Sequence, residues 1–139
     1  MPNPVEQPVL SDAAKAMFKE PIVGALTSTN ADGSQHATPT WIDIDGDQVV
    51  VNTMSKRRKA RNATANPSVG VVVIDPANPF RVVSLAGTVV AVDPEGAVEH
   101  IDALTQRYMG LDKHPFDHPD EGHRVKLRIR PDRIWIQPA

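Results

Sequence analysis

Short apolar runs broken by turn residues make up most of the chain. Residues 12–19 place Ala13, Ala14, Ala16, Met17 and Phe18 along one side behind a capping Ser11, which predicts a short helix stopped by Pro21. Residues 22–29 and 36–44 flank Asn30-Ala31-Asp32-Gly33, and Asp-Gly between apolar runs is a hairpin signal. Asp45-Gly46-Asp47 turns the chain again into residues 48–53, so three consecutive antiparallel strands are expected. In the second of them Thr40, Ile42 and Ile44 share one face and Trp41 and Asp43 the other. Pro39 lacks an N–H and belongs at an edge or a bulge. Residues 68–74 (SVGVVVI) show no polar alternation and read as a strand buried on both faces. After a turn at 75–79, residues 80–92 form a long strand with a bend at Gly87. Asp93-Pro94-Glu95 opens a helix running to about Tyr108, with Pro94 in the first helical position and Val98, Ile101, Ala103, Leu104 and Tyr108 on its apolar stripe. Residues 110–123 are polar and turn-rich, and read as a surface loop. Residues 125–129 alternate as a strand, Arg130-Pro131-Asp132 turns it, and 133–137 is the last strand.

Residues 1–9 hold three prolines and are expected as an extended arm. The sum is a mainly β (α+β) chain of six to seven strands in hairpins with Greek-key-like connections and about three peripheral helices. An antiparallel barrel with helices at its rim fits this pattern. No internal repeat and no linker divides it, so 1–139 is read as a single domain.

Composition narrows the function. A length of 139 residues is enough to bury a core without staples. The absence of cysteine excludes disulfides, thiolate zinc sites and cysteine nucleophiles. A net charge of −2, from 15 basic and 17 acidic side chains, argues against a polyanion-binding surface over the whole molecule. The N-terminus has no basic n-region or long apolar run, so no signal peptide is expected. No window approaches a membrane span, and a cytoplasmic location without a membrane partner is expected.

Against that acidic background, residues 48–62 (QVVVNTMSKRRKARN) stand out. A strand runs into Met54-Ser55, and five cations then fall within six positions: Lys56, Arg57, Arg58, Lys59 and Arg61. Ser55 is the natural N-cap of a helix that Asn66-Pro67 ends. Cations in a first helical turn face the positive end of the macrodipole, at about 0.3–1 kcal/mol each. Arg57 and Arg61 also form a like-charged i,i+4 pair. The arrangement makes sense if an anion sits at the helix start, where free N–H groups and arginine forks grip phosphate oxygens. A solvated basic face is the competing reading. A nucleic-acid patch is weaker, because no aromatic residue interleaves with the run.

Other constellations carry less. His114, His118 and His123, with Asp117 and Asp120, have no zinc-like spacing and read as a solvated loop. Asp43, Asp45 and Asp47 lack the downstream glutamate of a calcium loop. His36 reads as a polar strand residue with a pocket role open to it, and Trp41 and Trp135 as core or interface residues. No side-chain nucleophile stands out, and no metal site or nucleic-acid partner is expected.

Several segments together carry a resemblance. They are Gly24-Ala25-Leu26-Thr27-Ser28 with Asp32-Gly33, Thr38-Pro39-Thr40-Trp41, Asn52-Thr53 followed by 56–62 and Asn66-Pro67, the strand from Arg81 through Gly87-Thr88-Val89, and Pro131-Asp132-Arg133-Ile134-Trp135. In this order and spacing the chain resembles the pyridoxamine 5′-phosphate oxidase-like split β-barrel superfamily, in its coenzyme F420 (deazaflavin)-dependent oxidoreductase branch of actinobacteria. The resemblance implies a split β-barrel and a homodimer with the cofactor at the subunit interface. It implies that the strand-to-helix basic segment holds the cofactor phosphate, with Arg57 and Lys59 fitting best and Lys56 and Arg61 next. Thr53, Met54 and Ser55 would run along the ring and ribityl chain, Met54 and Ser55 through backbone atoms. Thr38, Pro39, Thr40 and Trp41 would line the ring pocket.

The implied reaction is hydride transfer between coenzyme F420 and an electron-poor small molecule. FMN is the alternative cofactor, and a non-catalytic flavin- or haem-binding barrel the alternative role. The oxidase's C-terminal extension with substrate-phosphate ligands has no counterpart after Trp135, so pyridoxamine phosphate oxidation is not expected. Five clustered cations suit the phosphodiester and γ-glutamyl tail of a deazaflavin better than one phosphate.

Overall fold

A single antiparallel sheet organises the computed structural model, which describes residues 5–7, 9–116 and 118–138. Most of the expected N-terminal arm and Asp117 lie outside the described residues. The elements are β1 Val5–Gln7, α1 Asp12–Met17, β2 Gly24–Thr29, β3 Gln35–Thr40, β4 Asp43–Asp45, β5 Gln48–Met54, α2 Arg58–Ala65, β6 Ser68–Asp75, β7 Asn78–Asp93, α3 Ala97–Met109, a 3-10 turn Pro119–Glu121, and β8 Arg124–Gln137. Strand order is β3-β2-β6-β7-β8-β5-β4, and β1 adds an eighth strand beside β8. The sheet coils around Leu26, Val49, Val51, Val71, Val83, Leu85, Leu127 and Ile129, and Met17, Phe18 and Ala63 pack on the same core. This is the mainly β split barrel with three helices that the apolar pattern implies.

Local chemistry explains several boundaries. Ser11 Oγ accepts the Ala14 N–H at 3.2 Å and starts α1 as expected. Asp32-Gly33 forms the β2–β3 turn, with Gly33 at φ 87°. Pro39 lies on β3, the sheet's edge strand, where its missing N–H does no harm.

Four expectations need correction. Residues 36–44 are not one strand: β3 ends at Thr40 and β4 begins at Asp43. Between them the Ile42 N–H donates to the Tyr108 hydroxyl at 3.2 Å, in place of a neighbouring strand. Residues 130–132 are no turn, and β8 runs through them. The extra residue is absorbed as a bulge opposite Ala86/Gly87. Gly87 permits this approach, since a Cβ there would lie 2.7 Å from Ile129 Cγ2 and 2.8 Å from the Arg130 carbonyl. The helix after β7 starts at Ala97, not at Pro94, because the Asp93 carboxylate accepts the Glu95 N–H at 2.9 Å and pairs with Arg128 at 3.0 Å, holding it in the sheet. Val98 is accordingly exposed, and Ile101, Leu104 and Thr105 form the buried side of α3. Finally, β6 is buried on one face only. Val69, Val71 and Val73 enter the core, while Gly70 and Val72 are half-buried and Ile74 is exposed.

Candidate functional site

The strand-to-helix segment after β5 departs from expectation at Ser55. Helix α2 begins at Arg58, and Arg57 occupies the cap position with extended backbone (φ −67°, ψ 152°) and no side-chain cap. Ser55 is engaged by the segment before β8 instead. His123 N–H donates to Ser55 Oγ at 3.1 Å and Ser55 N–H to the His123 carbonyl at 2.8 Å. Lys56 N–H donates to the Glu121 carbonyl at 2.9 Å. Arg57 grips one Glu121 carboxylate oxygen through Nε at 2.9 Å and Nη2 at 2.7 Å. Gly122, at φ 94°, makes the approach possible: a Cβ there would fall 2.1 Å from Ser55 Oγ. Residues 118–123 are therefore a strap laid over the basic segment and not a free surface loop. The strap consumes the N–H groups of Ser55 and Lys56 and moves the helix start to Arg58.

Beside this strap lies a cavity of about 290 Å³. Arg57 and Lys59 reach it from the start of α2, Arg124 from the start of β8, and Pro39, Thr40 and Trp41 from the end of β3. Burial, and then the neighbouring Arg57, hold the Lys59 pKa below its ordinary value. Burial likewise lowers that of Arg124, with Arg57 adding to the effect. Glu121 is the carboxylate paired with this group, and its hydrogen bond from Arg57 lowers its own pKa. Three half-buried cations facing one carboxylate leave the cavity short of negative charge.

A line of rings forms one wall. Trp41 stacks on Tyr108 at 4.9 Å and 7°. The Tyr108 hydroxyl is itself fixed, donating to the Ile22 carbonyl at 2.7 Å. His114 meets Trp41 edge-on at 6.0 Å, Phe116 meets His114 at 5.5 Å, and His118 lies along Phe116 at 6.3 Å. The chain has only two Trp, one Tyr and three Phe, and three of these stand in this line. Such concentration in an aromatic-poor chain favours a flat ligand. Thr105 Oγ1 donates to the Ile101 carbonyl at 2.7 Å, so it accepts from His114 Nδ1–H at 3.1 Å. The Nε2 edge of His114 thus faces away from α3. Burial, then Arg124, lower the His114 pKa and keep it neutral at pH 7.

Arg124 is held from behind by a polar relay. Its Nη1 donates to Asn52 Oδ1 at 3.3 Å. The Asn52 amide gives its hydrogens to the Ala97 carbonyl at 2.8 Å and His100 Nδ1 at 3.1 Å. His100 Nε2–H then donates to Asp43 at 2.9 Å, and Arg107 donates to the same carboxylate at 3.0 Å. Burial pushes the Asp43 pKa up, but the bonds from His100, the Ile44 N–H and Arg107 outweigh it and leave the group below its ordinary value.

Of the residues singled out in the sequence, Pro39, Thr40, Trp41, Arg57 and Lys59 meet at this cavity. Met54 lines an adjoining cavity of about 240 Å³. Thr53 is fully buried, and neither its Oγ1 nor that of Thr38 has a hydrogen-bond partner among the described residues. Neither residue lines the cavity, and Ser55 is bonded to the strap. Lys56 is exposed. Arg61 lines a different cavity, of about 570 Å³, with Arg58, Asn30 and Gly33. Among the described residues no group of three His or acidic side chains could hold a metal ion. Sequence reasoning missed Asn52, His114 and Arg124 as cavity residues. His114 stood in a segment weighed only for metal binding, and Arg124 looked like an ordinary polar strand start.

The family model described as pyridoxamine 5′-phosphate oxidase matches residues 10–137. Among solved structures, an F420 reductase superposes with a TM-score of 0.73 at 31% identity, over 86% of this chain and 94% of that one. A conserved hypothetical protein, Rv2991 from Mycobacterium tuberculosis, gives 0.70 at 24% identity over 92% of this chain and 86% of that one. HupZ from Group A Streptococcus gives 0.66 at 18% identity over 94% and 97%. The last two share the fold alone. Among curated proteins, none matches at the same stringency.

Proposed function

This chain belongs to the pyridoxamine 5′-phosphate oxidase family, and from that premise we propose that it is an oxidoreductase using the deazaflavin coenzyme F420. The observation that carries the reading is the convergence of Arg57 and Lys59 with Trp41 on one cavity. It supplies an anion grip and a flat wall together, which suit a phosphate-bearing ring system. The 31% identity to an F420 reductase, over most of both chains, favours the deazaflavin. Arg58 and Arg61 on the neighbouring cavity would suit the carboxylates of its tail.

Bound there, the cofactor supplies hydride transfer to or from an electron-poor double bond. The protein's part is positioning. Arg57 keeps its Nη1 free of Glu121 and offers it, with Lys59, to the phosphate. Trp41, locked by Tyr108, backs the ring. FMN is the near alternative, because one phosphate would satisfy Arg57 and Lys59. A homodimer is part of the proposal: Ile74 near one end of the β6–β7 pair and Val90 past the other are large apolar side chains left 47% and 45% exposed, available to a second copy. No helix of the described residues is long and apolar enough to cross a membrane.

Fluorescence titration with coenzyme F420 and, in parallel, with FMN at low and moderate salt tests the reading. Micromolar F420 binding that weakens with salt, with FMN binding weaker, is expected. Tighter FMN binding would assign the site to the flavin. Binding of neither would leave the cations as a solvated face and overturn the proposal.

A further inference from the structure

The strap at 118–123 covers the very groups that the basic segment offers to an anion. Ser55 and Lys56 give their N–H groups to the His123 and Glu121 carbonyls, and the Arg57 N–H goes to the Met54 carbonyl at 3.0 Å. Arg57 spends Nε and Nη2 on one Glu121 oxygen. Glu121 is thus an anion standing where a phosphate oxygen would be gripped. The hydrogen bond from Arg57 holds its pKa below the ordinary value, with the charges of Arg57 and Arg124 acting the same way, so it is ionised at neutral pH.

Little holds the strap down. None of residues 118–123 is buried, and the Glu121 side chain is 42% exposed. A segment with no buried apolar contact and with solvent beside its ion pair lies at the low-stability end of a structure. Its seat on the basic segment depends on Gly122, at φ 94°, where a Cβ would also fall 3.3 Å from the Lys56 nitrogen. The strap runs from His118, at the end of the ring line, to Arg124, which borders both the cavity at Trp41 and the adjoining one. Its position therefore bears on the anion grip and on the cavity walls together.

We propose that the strap is an autoinhibitory latch: Glu121 occupies Arg57 in place of the coenzyme phosphate, and binding of that phosphate exchanges one anion for the other and lifts residues 118–123 off Ser55 and Lys56. The inference rests on the coenzyme reading above. First contact needs no opening, because Arg57 Nη1 makes no bond to Glu121 and Lys59 lines the same cavity. The full grip does need it. A two-pronged Arg57 contact and the N–H groups of Ser55 and Lys56 become available only when the strap leaves. The closed strap therefore lowers the apparent affinity in proportion to the fraction of molecules that are open. Coupling of this kind is reciprocal: what loosens the strap tightens the coenzyme, and the coenzyme loosens the strap. A strap that merely supported Arg57 would give the opposite sign in both directions.

The test is amide hydrogen exchange at His123, whose N–H donates to Ser55 Oγ at 3.1 Å while the strap is down, read beside binding titrations at low, matched ionic strength. The probes are oxidised coenzyme F420, FMN and inorganic phosphate. A saturating probe should speed His123 exchange in the wild type by about tenfold or more. Glu121→Gln should tighten binding by about threefold. Gly122→Ala, which bars the strap from Ser55, should tighten it by on the order of tenfold. Asp120→Asn removes the same charge from an exposed neighbour and should leave exchange and affinity unchanged. The latch is overturned if Glu121→Gln fails to tighten binding, if folded Gly122→Ala binds more weakly than the wild type, if Asp120→Asn matches Glu121→Gln, or if none of the three probes speeds His123 exchange. Release of the strap by FMN or phosphate but not by F420 overturns the F420 reading instead and leaves the latch standing.

Discussion

Arg57 and Lys59 face a cavity walled by Trp41, whereas Arg58 and Arg61, interleaved with them in the same run, line another cavity beside the Asn30 and Gly33 turn. The sequence offers no charge difference between the two pairs. Backbone geometry makes the difference. Arg58 and Arg61 are both helical and share a face at i,i+3. Arg57 stands outside the helix in extended conformation, and its guanidinium turns to Glu121. The first pair is half-buried with a strap laid beside it, and the second is exposed. Charge in a low-dielectric cleft is worth several times its value on the surface, so the two pairs should differ sharply in function.

The largest effect should come from removing the inner pair. Arg57→Ala with Lys59→Ala should raise the F420 dissociation constant by more than about a hundredfold, the sum of two charge-assisted bonds of about 1.5–3 kcal/mol each. Arg58→Ala with Arg61→Ala should cost less than about tenfold for F420 and leave FMN binding unchanged, since exposed pairs contribute about 0–1 kcal/mol. Equal losses from both double variants in the fluorescence titration would sink the distinction between the pairs.

Next comes the relay behind Arg124. Asp43→Ala removes the acceptor shared by His100, Arg107 and the Ile44 N–H, and should cost about 2–3 kcal/mol in denaturant unfolding. The pH dependence has a definite sign. The Asp43 pKa is lower in the folded protein than the ordinary 3.8, so its contribution is full above that value and is lost as pH falls through the folded one. The gap between wild type and variant should therefore close in acid, and a gap that persists well below pH 3.8 would contradict the ionic account.

A smaller effect separates the pairs again. The folded Lys59 pKa is lowered from 10.5, so the unfolded chain binds more protons between the two values and the charge costs stability at neutral pH. Lys59→Met should raise the melting temperature of the cofactor-free protein by about 2–4 °C while weakening the coenzyme. The same change at the exposed Arg58 should leave melting unmoved. Smallest of all, Glu121→Gln removes the carboxylate that competes for Arg57, and should tighten coenzyme binding by about threefold at low salt. The gain should fade as salt is added.

Much of the fold was legible because its signals are local. Ser11 caps α1, Asp32-Gly33 turns the first hairpin, and Gly87 stands opposite the bulge in β8. The candidate site was legible where short motifs carried it: Arg57 with Lys59, and Pro39-Thr40-Trp41, meet at one cavity. The misreadings have a common cause. Ser55 looks like a helix cap until His123, 68 positions away, takes its hydroxyl. Arg124 looks like a strand end until Asn52, 72 positions earlier, orients it. Tyr108 looks like one member of an apolar stripe, yet its hydroxyl fixes Ile22 and Ile42 and its ring supports Trp41.

The sequence by itself determined a cysteine-free, mainly β chain with a basic segment at the mouth of a helix, because periodicity, turn chemistry and charge runs are properties of neighbouring residues. Only the tertiary structure decided which cations face inward, which segment covers the helix start, and which arginine is held at the border of two cavities. Those outcomes depend on hydrogen bonds between residues remote in sequence, whose partners are chosen by the coiling of the sheet that brings β5 against β8.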